Sequence, residues 1–225
     1  MQILFVSDYV CPYCLVAKEA LKQALAETGM EAEITWQPYE LTPESRERVD
    51  TWHDEKRRAN HQILVEPCAR LGLDMKLPPH VIPRPYTRLA FEGWFYACEK
   101  GRGEEYNDLV YRAYFVEEQD IGEPEVLAGL ARRVGLDADD FAVALQNGSY
   151  SAAEKEAVAY ARNVLKPQGV PTVYINGEKI SVREYTKEEM IAILRQEADK
   201  DAGPGFSCGD DGCGFSCGED GCGMA

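Results

Sequence analysis

The chain has no run of the roughly 18 to 20 apolar residues that a membrane-spanning helix requires. It opens on Met1-Gln2-Ile3-Leu4-Phe5-Val6-Ser7-Asp8, without the basic start and longer apolar stretch of a secretory leader. It is poor in cations: 24 Lys and Arg stand against 39 Asp and Glu, a formal net charge of −15. Nucleic acid and anionic membrane would repel such a chain, which excludes both as partners. Only four of the acids, Asp210, Asp211, Glu219 and Asp220, lie in the last stretch, so the acidity is spread through the protein and reads as a solubility device. Histidine is scarce, and His53, His61 and His80 show no ligand spacing, which makes them surface or core residues. Lacking a leader, the chain is expected in the cytoplasm, where thiols stay reduced and clustered cysteines signal catalysis or metal more often than structural bridges. At 225 residues and 45% hydrophobic content it can bury a core without staples.

What the chain does have is Cys11-Pro12-Tyr13-Cys14. Ile3 to Val6 reads as a buried strand and Pro12 to Ala26 as the helix after it, so the two cysteines sit at a strand-to-helix junction. There the unpaired N–H groups and positive end of the helix dipole stabilise a thiolate on Cys11, and Cys14 lies one turn deeper. Such a dithiol can attack a disulfide and then release it by closing on itself. The alternative is a structural pair or half of a zinc site; the position at the junction and Pro12 favour redox chemistry. Cys68 and Cys98 stand alone in helical patterns and are expected to be buried free cysteines.

Gly29 is placed to cap the first helix, and Glu33 to Pro38 alternates as a second strand. Thr42-Pro43 is expected to open a helix, and from Thr42 to Leu165 the pattern is helical throughout. Apolar stripes run through Tyr86, Leu89, Ala90, Gly93 and Trp94, through Leu109, Val110, Ala113 and Tyr114, and through Val126, Leu127, Leu130, Ala131 and Val134. Helix starts are expected at Glu123-Pro124, at Asp137, and at the capping box Ser151-Ala152-Ala153-Glu154. Strand character returns at Gly169 to Ile175; Asn176-Gly177 makes a hairpin to Glu178 to Ser181, and Thr186 to Glu189 is a capping box for a last helix through Ile191 and Leu194. The economical reading is one sheet interrupted by a helical insertion.

Beyond Ala202, Gly205-Phe206-Ser207-Cys208-Gly209-Asp210-Asp211-Gly212-Cys213 repeats almost letter for letter through Cys222. Four thiols, Cys208, Cys213, Cys217 and Cys222, in a glycine-rich and acidic segment suit a flexible tail. They could exchange electrons with Cys11 and Cys14, close as two small disulfides, or bind zinc or another soft metal.

The Cys11-Pro12-Tyr13-Cys14 helix start, the helical insertion and Val170-Pro171 before a hairpin resemble the DsbA-like branch of the thioredoxin superfamily over residues 1 to about 200. Ala113-Tyr114-Phe115 and Gly135-Leu136-Asp137 are similar to the cytosolic FrnE-type dithiol-disulfide isomerases. The resemblance implies an α/β thioredoxin-like fold, made of residues 1–41 and 166–202 around the large all-helical insertion over 42–165; the flexible Cys-rich C-terminal tail over 203–225 lies beyond it. It implies that Pro171 is a cis-proline facing the cysteines, with Val170 free to pair with an extended client. The expected activity is that of a protein dithiol-disulfide oxidoreductase or isomerase with Cys11, Pro12, Tyr13 and Cys14 catalytic. Its partners would be protein or small-molecule disulfides and glutathione or a thioredoxin system, and no organic cofactor is required. Two alternatives stand beside it: a glutathione-linked transferase or isomerase, which usually has serine at the Cys11 position, and a metal-sequestering protein acting through its tail. Tyr13 departs from the histidine often found there, so thiolate stabilisation falls to the helix terminus and the disulfide is expected to be a weaker oxidant than that of DsbA.

Overall fold

A computed structural model describes residues 1–201. It begins with β1 (Gln2–Ser7), α1 (Pro12–Thr28) and β2 (Glu33–Pro38). Ile3, Phe5 and Val6 have essentially no exposed surface, which identifies β1 as a central strand. β2 runs parallel to β1, as the helical crossover between them requires, and Trp36 lies edge-to-face on Phe5 with ring centroids 5.1 Å apart. Pro12 occupies the first turn of α1, where its missing N–H costs nothing. The helix ends at Gly29, whose φ of 66° lets its N–H reach the Leu25 carbonyl at 2.9 Å.

Seven helices follow before the chain returns to the sheet: α2 (Glu55–Gln62), α3 (Val65–Leu71), α4 (Arg88–Glu99), α5 (Gly103–Phe115), α6 (Pro124–Arg133), α7 (Ala138–Gln146) and α8 (Ser151–Tyr160). A π-turn over Ala161–Leu165 extends α8. β3 (Thr172–Ile175) pairs antiparallel with β1 and, through the Asn176-Gly177 turn, with β4 (Glu178–Ile180), giving the sheet order β2-β1-β3-β4. Both turn residues have positive φ, 49° and 87°, as a two-residue hairpin turn demands. α9 (Lys187–Asp201) closes the described fold; the Glu189 N–H donates to Thr186 Oγ1 at 3.1 Å, and the Glu189 carboxylate accepts from the Arg183, Glu184 and Tyr185 amides.

One hydrophobic core joins the sheet, α1, α4 to α7 and α9. The expected helical stripes supply it: Ala90, Gly93, Val110, Ala113, Tyr114, Leu127, Leu130 and Ala131 are all buried. A smaller cluster of Val16, Ala20, Leu64, Cys68 and Leu71 fixes α3 on the other side of α1. No helix among the described residues is long and apolar enough to cross a membrane.

Three local expectations fail, two because a side chain is used elsewhere and one because its neighbour takes the core position. Thr42 does not start a helix: its hydroxyl is buried and accepts from Arg84 Nη2, and the first insertion helix starts instead behind Asp54, whose carboxylate caps the Arg57 amide at 3.0 Å. Ser151 lies inside α8 rather than ahead of it, and Glu154 turns into the protein instead of back to the cap. Cys98 is exposed at the end of α4, because Ala97 beside it takes the core-facing position. The tail cysteines, Cys208, Cys213, Cys217 and Cys222, lie outside the described residues.

Gly93 marks the tightest contact in the insertion: a Cβ there would sit 2.6 Å from Phe141 Cζ and still closer to the Tyr106 hydroxyl, and both rings are fully buried. Although alanine gains about 1 kcal/mol of helix propensity over glycine, overpacking costs about 1–3 kcal/mol. Gly93→Ala is therefore expected to lower the urea midpoint with an unchanged m-value; an equal or higher midpoint would show that α4 can move away from α5 and α7.

Candidate active site

Cys11 is the N-cap residue of α1, and its neighbours are fixed by the strand behind it. The Cys11 N–H donates to the Asp8 carbonyl at 3.0 Å and the Cys14 N–H to the Cys11 carbonyl at 3.1 Å, so a tight turn feeds directly into the helix. The β1–β3 register ends with Val6 opposite Thr172, the residue that follows Val170-Pro171. The Val170–Pro171 bond is cis, and Cys11 Sγ lies 3.4 Å from the Val170 carbonyl oxygen, to which the thiol donates. The residue pairs that the sequence places 159 positions apart thus meet at one point.

The two thiols are free and inequivalent. Cys11 is 4% exposed and Cys14 is completely buried. Burial, with Cys11 beside it, pushes the Cys14 thiol well above the usual range, so it rests as a protonated thiol. Pro12 is buried next to them, while Tyr13 turns away: its hydroxyl donates to the Asn60 carbonyl of α2 at 3.0 Å. The Tyr13 ring meets Tyr185, 5.4 Å between centroids, and burial pushes the Tyr185 hydroxyl up to about 12. A groove of about 490 Å³ runs from Tyr185 along Gly169, Val170, Pro171, Lys179 and Val182.

Sequence reasoning missed the support beneath the dithiol. Asp8 is fully buried; burial raises its carboxyl although the Leu41 N–H donates to Oδ2 at 2.7 Å and Arg84 and Thr87 stand by. The Tyr111 hydroxyl closes the same turn from α5, 3.4 Å from the Asp8 carbonyl. A single acid inside the apolar run Leu4-Phe5-Val6-Ser7-Asp8-Tyr9-Val10 was the available signal. Beyond it, Glu40 and Glu154 are buried and each is pushed up to about 7. Burial is the main cause for both; Asp8 and Glu44 add to it at Glu40, Glu40 and Glu92 at Glu154, and Arg88 opposes it at both, joined by Arg162 at Glu40. Among the histidines, His53 pairs with Asp50, His80 meets Trp52 edge-to-face, and burial with Arg84 and Arg57 holds His61 down at about 4. Burial lifts the Cys68 thiol to about 11; Cys98 is exposed as a residue, but its sulfur is tucked against Gly103, and that local burial with Glu104 lifts its thiol to about 11 too, which leaves both poor nucleophiles. No cluster of three metal-ligating side chains exists among the described residues.

A carboxyl whose value is raised in the folded state stabilises the fold below its unfolded value and loses that contribution as pH rises through the folded one. Glu40 and Glu154 should therefore make the protein progressively less stable from about pH 4.5 through 7. The double variant Glu40→Gln, Glu154→Gln is expected to flatten the stability profile over that window; urea midpoints at pH 5 and 8 that differ as much as in the parent would refute this assignment.

The model of the DSBA-like thioredoxin domain matches residues 2–190. A Bacillus subtilis (strain 168) protein, YwbO, is 39% identical over 170 residues, covering 75% of this chain and 84% of that one. Among solved structures, a probable DsbA oxidoreductase of Streptomyces coelicolor superposes with a TM-score of 0.74 at 24% identity over 96% of this chain and all of its own. The cytosolic disulfide reductase DsbM of Pseudomonas aeruginosa, also solved with GSH, superposes at 0.65 and 16% identity, over 89% of this chain and 100% of its own for the structure without GSH. With the strand-to-helix cysteines, the interrupted sheet and the cis-proline loop in place, the chain belongs to the DSBA-like thioredoxin domain family.

Proposed function

We propose that this protein is a thiol–disulfide oxidoreductase of protein substrates, able to isomerise as well as exchange disulfides, with Cys11 as the attacking thiol and Cys14 as the resolving one. The observation that carries the reading is the asymmetry of the pair: Cys11 Sγ at the mouth of α1, 3.4 Å from the Val170 carbonyl, and Cys14 sealed one turn below it. Cys11, as its thiolate, attacks one sulfur of a client disulfide; the Cys11–client S–S bond forms, the client's own S–S bond breaks, and the departing client thiolate takes up a proton. Cys14 then gives up its proton and attacks Cys11 Sγ, forming the Cys11–Cys14 disulfide and releasing the second client thiol. Two electrons pass from the dithiol to the client, and the reverse sequence oxidises a client dithiol. Isomerisation occurs when a second client thiol, rather than Cys14, attacks the mixed disulfide.

Val170 and Pro171 form the wall against which an extended client lies, and Pro12 fixes the helix start without adding an N–H. Two molecules of glutathione, oxidised to their disulfide, suffice to return the protein to the dithiol, and the GSH found with DsbM supports glutathione as that partner. The electrons reside in sulfur alone, so no organic cofactor is involved. The cytoplasm is the compartment that suits this cycle, as DsbM's description as cytosolic does for that protein. Cys208, Cys213, Cys217 and Cys222 act as a second dithiol set that exchanges with Cys11 and Cys14; protection of all four by zinc, with Cys11 and Cys14 cycling unaffected, would make the tail a metal site instead.

Cys11→Ser should abolish turnover of a disulfide-bonded protein substrate, and Cys14→Ser should trap the client as a mixed disulfide visible as an added mass. Retained turnover by Cys11→Ser would sink the assignment. Tyr13 directs its hydroxyl to Asn60 and supplies no cation. Equilibration with glutathione is therefore expected to place the Cys11–Cys14 potential well below DsbA's value of about −120 mV.

A further inference from the structure

The insertion contains a second concavity that the redox cycle does not use. A cavity of about 680 Å³ opens between α2, α3 and the segment 72–80, walled by Trp52, Val65, Cys68, Leu73, Met75 and Leu77, with Lys76, His80 and Glu118 at its rim. We propose that this cavity receives a bulky apolar side chain from an extended protein client, a few residues away from the cysteine that Cys11 attacks. The proposal rests on the oxidoreductase reading and adds to it the class of client.

Continuity with the dithiol is the first support. Tyr13 and Tyr185, the aromatic pair beside Cys11, pack together with Leu73, Met75 and Leu77 on the Leu64–Cys68–Leu71 cluster, and four of the cavity's walls come from that same set. One tyrosine side chain, Tyr13, reaches from the dithiol helix to the Asn60 carbonyl in α2, two residues before the cavity-lining Gln62, and three or four residues of extended client cover about 10–13 Å. Exposure is the second. Ile63 is 65% exposed, the largest value among the exposed large hydrophobic residues described, and Val65 on the cavity wall is 51% exposed. Val65, an apolar side chain left in water on the cavity wall, with the exposed Ile63 two residues before it in the chain, is the surface an apolar segment would cover.

The cavity floor is adaptable as well as apolar. Cys68 Sγ lies 3.5 Å from Met75 Sδ, and a methionine wall reshapes itself to side chains of different form, as a protein that handles many clients needs. Charge supplies the last support. Lys56 and Arg58 flank Arg57 on α2, Arg58 lying over the Trp52 ring and Arg57 being paired with Asp54, in a chain whose net charge is −15. A client segment with acidic residues beside its apolar one is favoured there over a basic one.

The test uses the full chain and paired peptide disulfides that differ only in carrying leucine or serine three residues from the cysteine, between acidic neighbours. The leucine peptide is expected to have the higher kcat/KM by about tenfold, through KM. In Val65→Asp and in Ile63→Asp, both surface changes that the fold should accommodate, the leucine-to-serine ratio should fall towards unity. Equal kcat/KM for the two peptides in the parent, or a ratio unchanged in both variants, would overturn the proposal. A leucine peptide with serine in place of its cysteine separates this idea from the redox reading. Its binding should quench tryptophan fluorescence in the parent and not in Trp52→Phe; such binding without any disulfide turnover would leave the cavity assigned and remove the oxidoreductase. Turnover of a small disulfide with no peptide binding would do the opposite. If peptide binding appeared only after residues 203–225 were deleted, the tail would be the cavity's occupant and the client proposal would fall.

Discussion

The site depends on β1 being paired on both sides. A strand with Ile3, Phe5 and Val6 wholly buried cannot shift its register without turning those side chains to the wrong face, so its end at Ser7 is fixed in space. From that end only the turn Asp8 to Cys11 remains before α1 begins, and the turn is closed by the Cys11 N–H on the Asp8 carbonyl. The same register brings Val170 alongside from the other half of the chain. The meeting of Cys11 and Val170 is therefore a consequence of sheet pairing rather than of any contact the two make with each other.

Polar support around this turn is dense and incompletely satisfied. Asp8 Oδ1, Glu40 Oε1, Glu92 Oε2 and Glu154 Oε1 are all buried without a hydrogen-bond partner among the described residues. Replacing such groups by apolar ones would ordinarily stabilise a fold. Here they lie between the sheet and the insertion, with Arg84, Arg88 and Arg162 among them, and Leu41 N–H on Asp8 ties the chain leaving β2 to the turn that carries Cys11. The arrangement couples the position of the insertion to the position of the dithiol, a link that an oily interface of the same area would make less specific.

Much of this was legible in the sequence because the informative signals are local. Cys11-Pro12-Tyr13-Cys14 needed only a strand before it and a helix after it, Gly29 and Asn176-Gly177 are positions where positive φ decides the residue, and the apolar stripes of α4, α5 and α6 follow the helical period. What was not legible depends on partners far away in the chain. Thr42 has the chemistry of a helix cap and is used by Arg84; Ser151 and Glu154 have the spacing of a capping box, and Glu154 is drawn instead into the carboxyl cluster with Glu40 and Glu92. Cys98 could not be distinguished from Cys68 by pattern, since both lie on mixed helix faces and only α4's packing through Ala97 turns one of them outward. Asp8 was visible as an acid in an apolar run, but a burial that complete follows only from the closure of the insertion over it.

The Val170 carbonyl gives the proposed cycle its order of events. In the dithiol state it accepts from the Cys11 thiol at 3.4 Å, so one of the backbone groups that an extended client would pair with is already engaged. Ionisation of Cys11 removes that donor and sets a negative sulfur beside a carbonyl oxygen, an arrangement that is repulsive until a donor intervenes. In that cycle a client backbone N–H would supply it, pairing with Val170 as the client sulfur approaches Cys11. Docking and thiolate formation then favour one another, and the buried, protonated Cys14 does not compete for the client's sulfur at that stage. Only once Cys11 is tied up in the mixed disulfide does the neighbouring negative charge disappear, and the loss of that repulsion makes it easier for Cys14 to release its proton and complete the exchange.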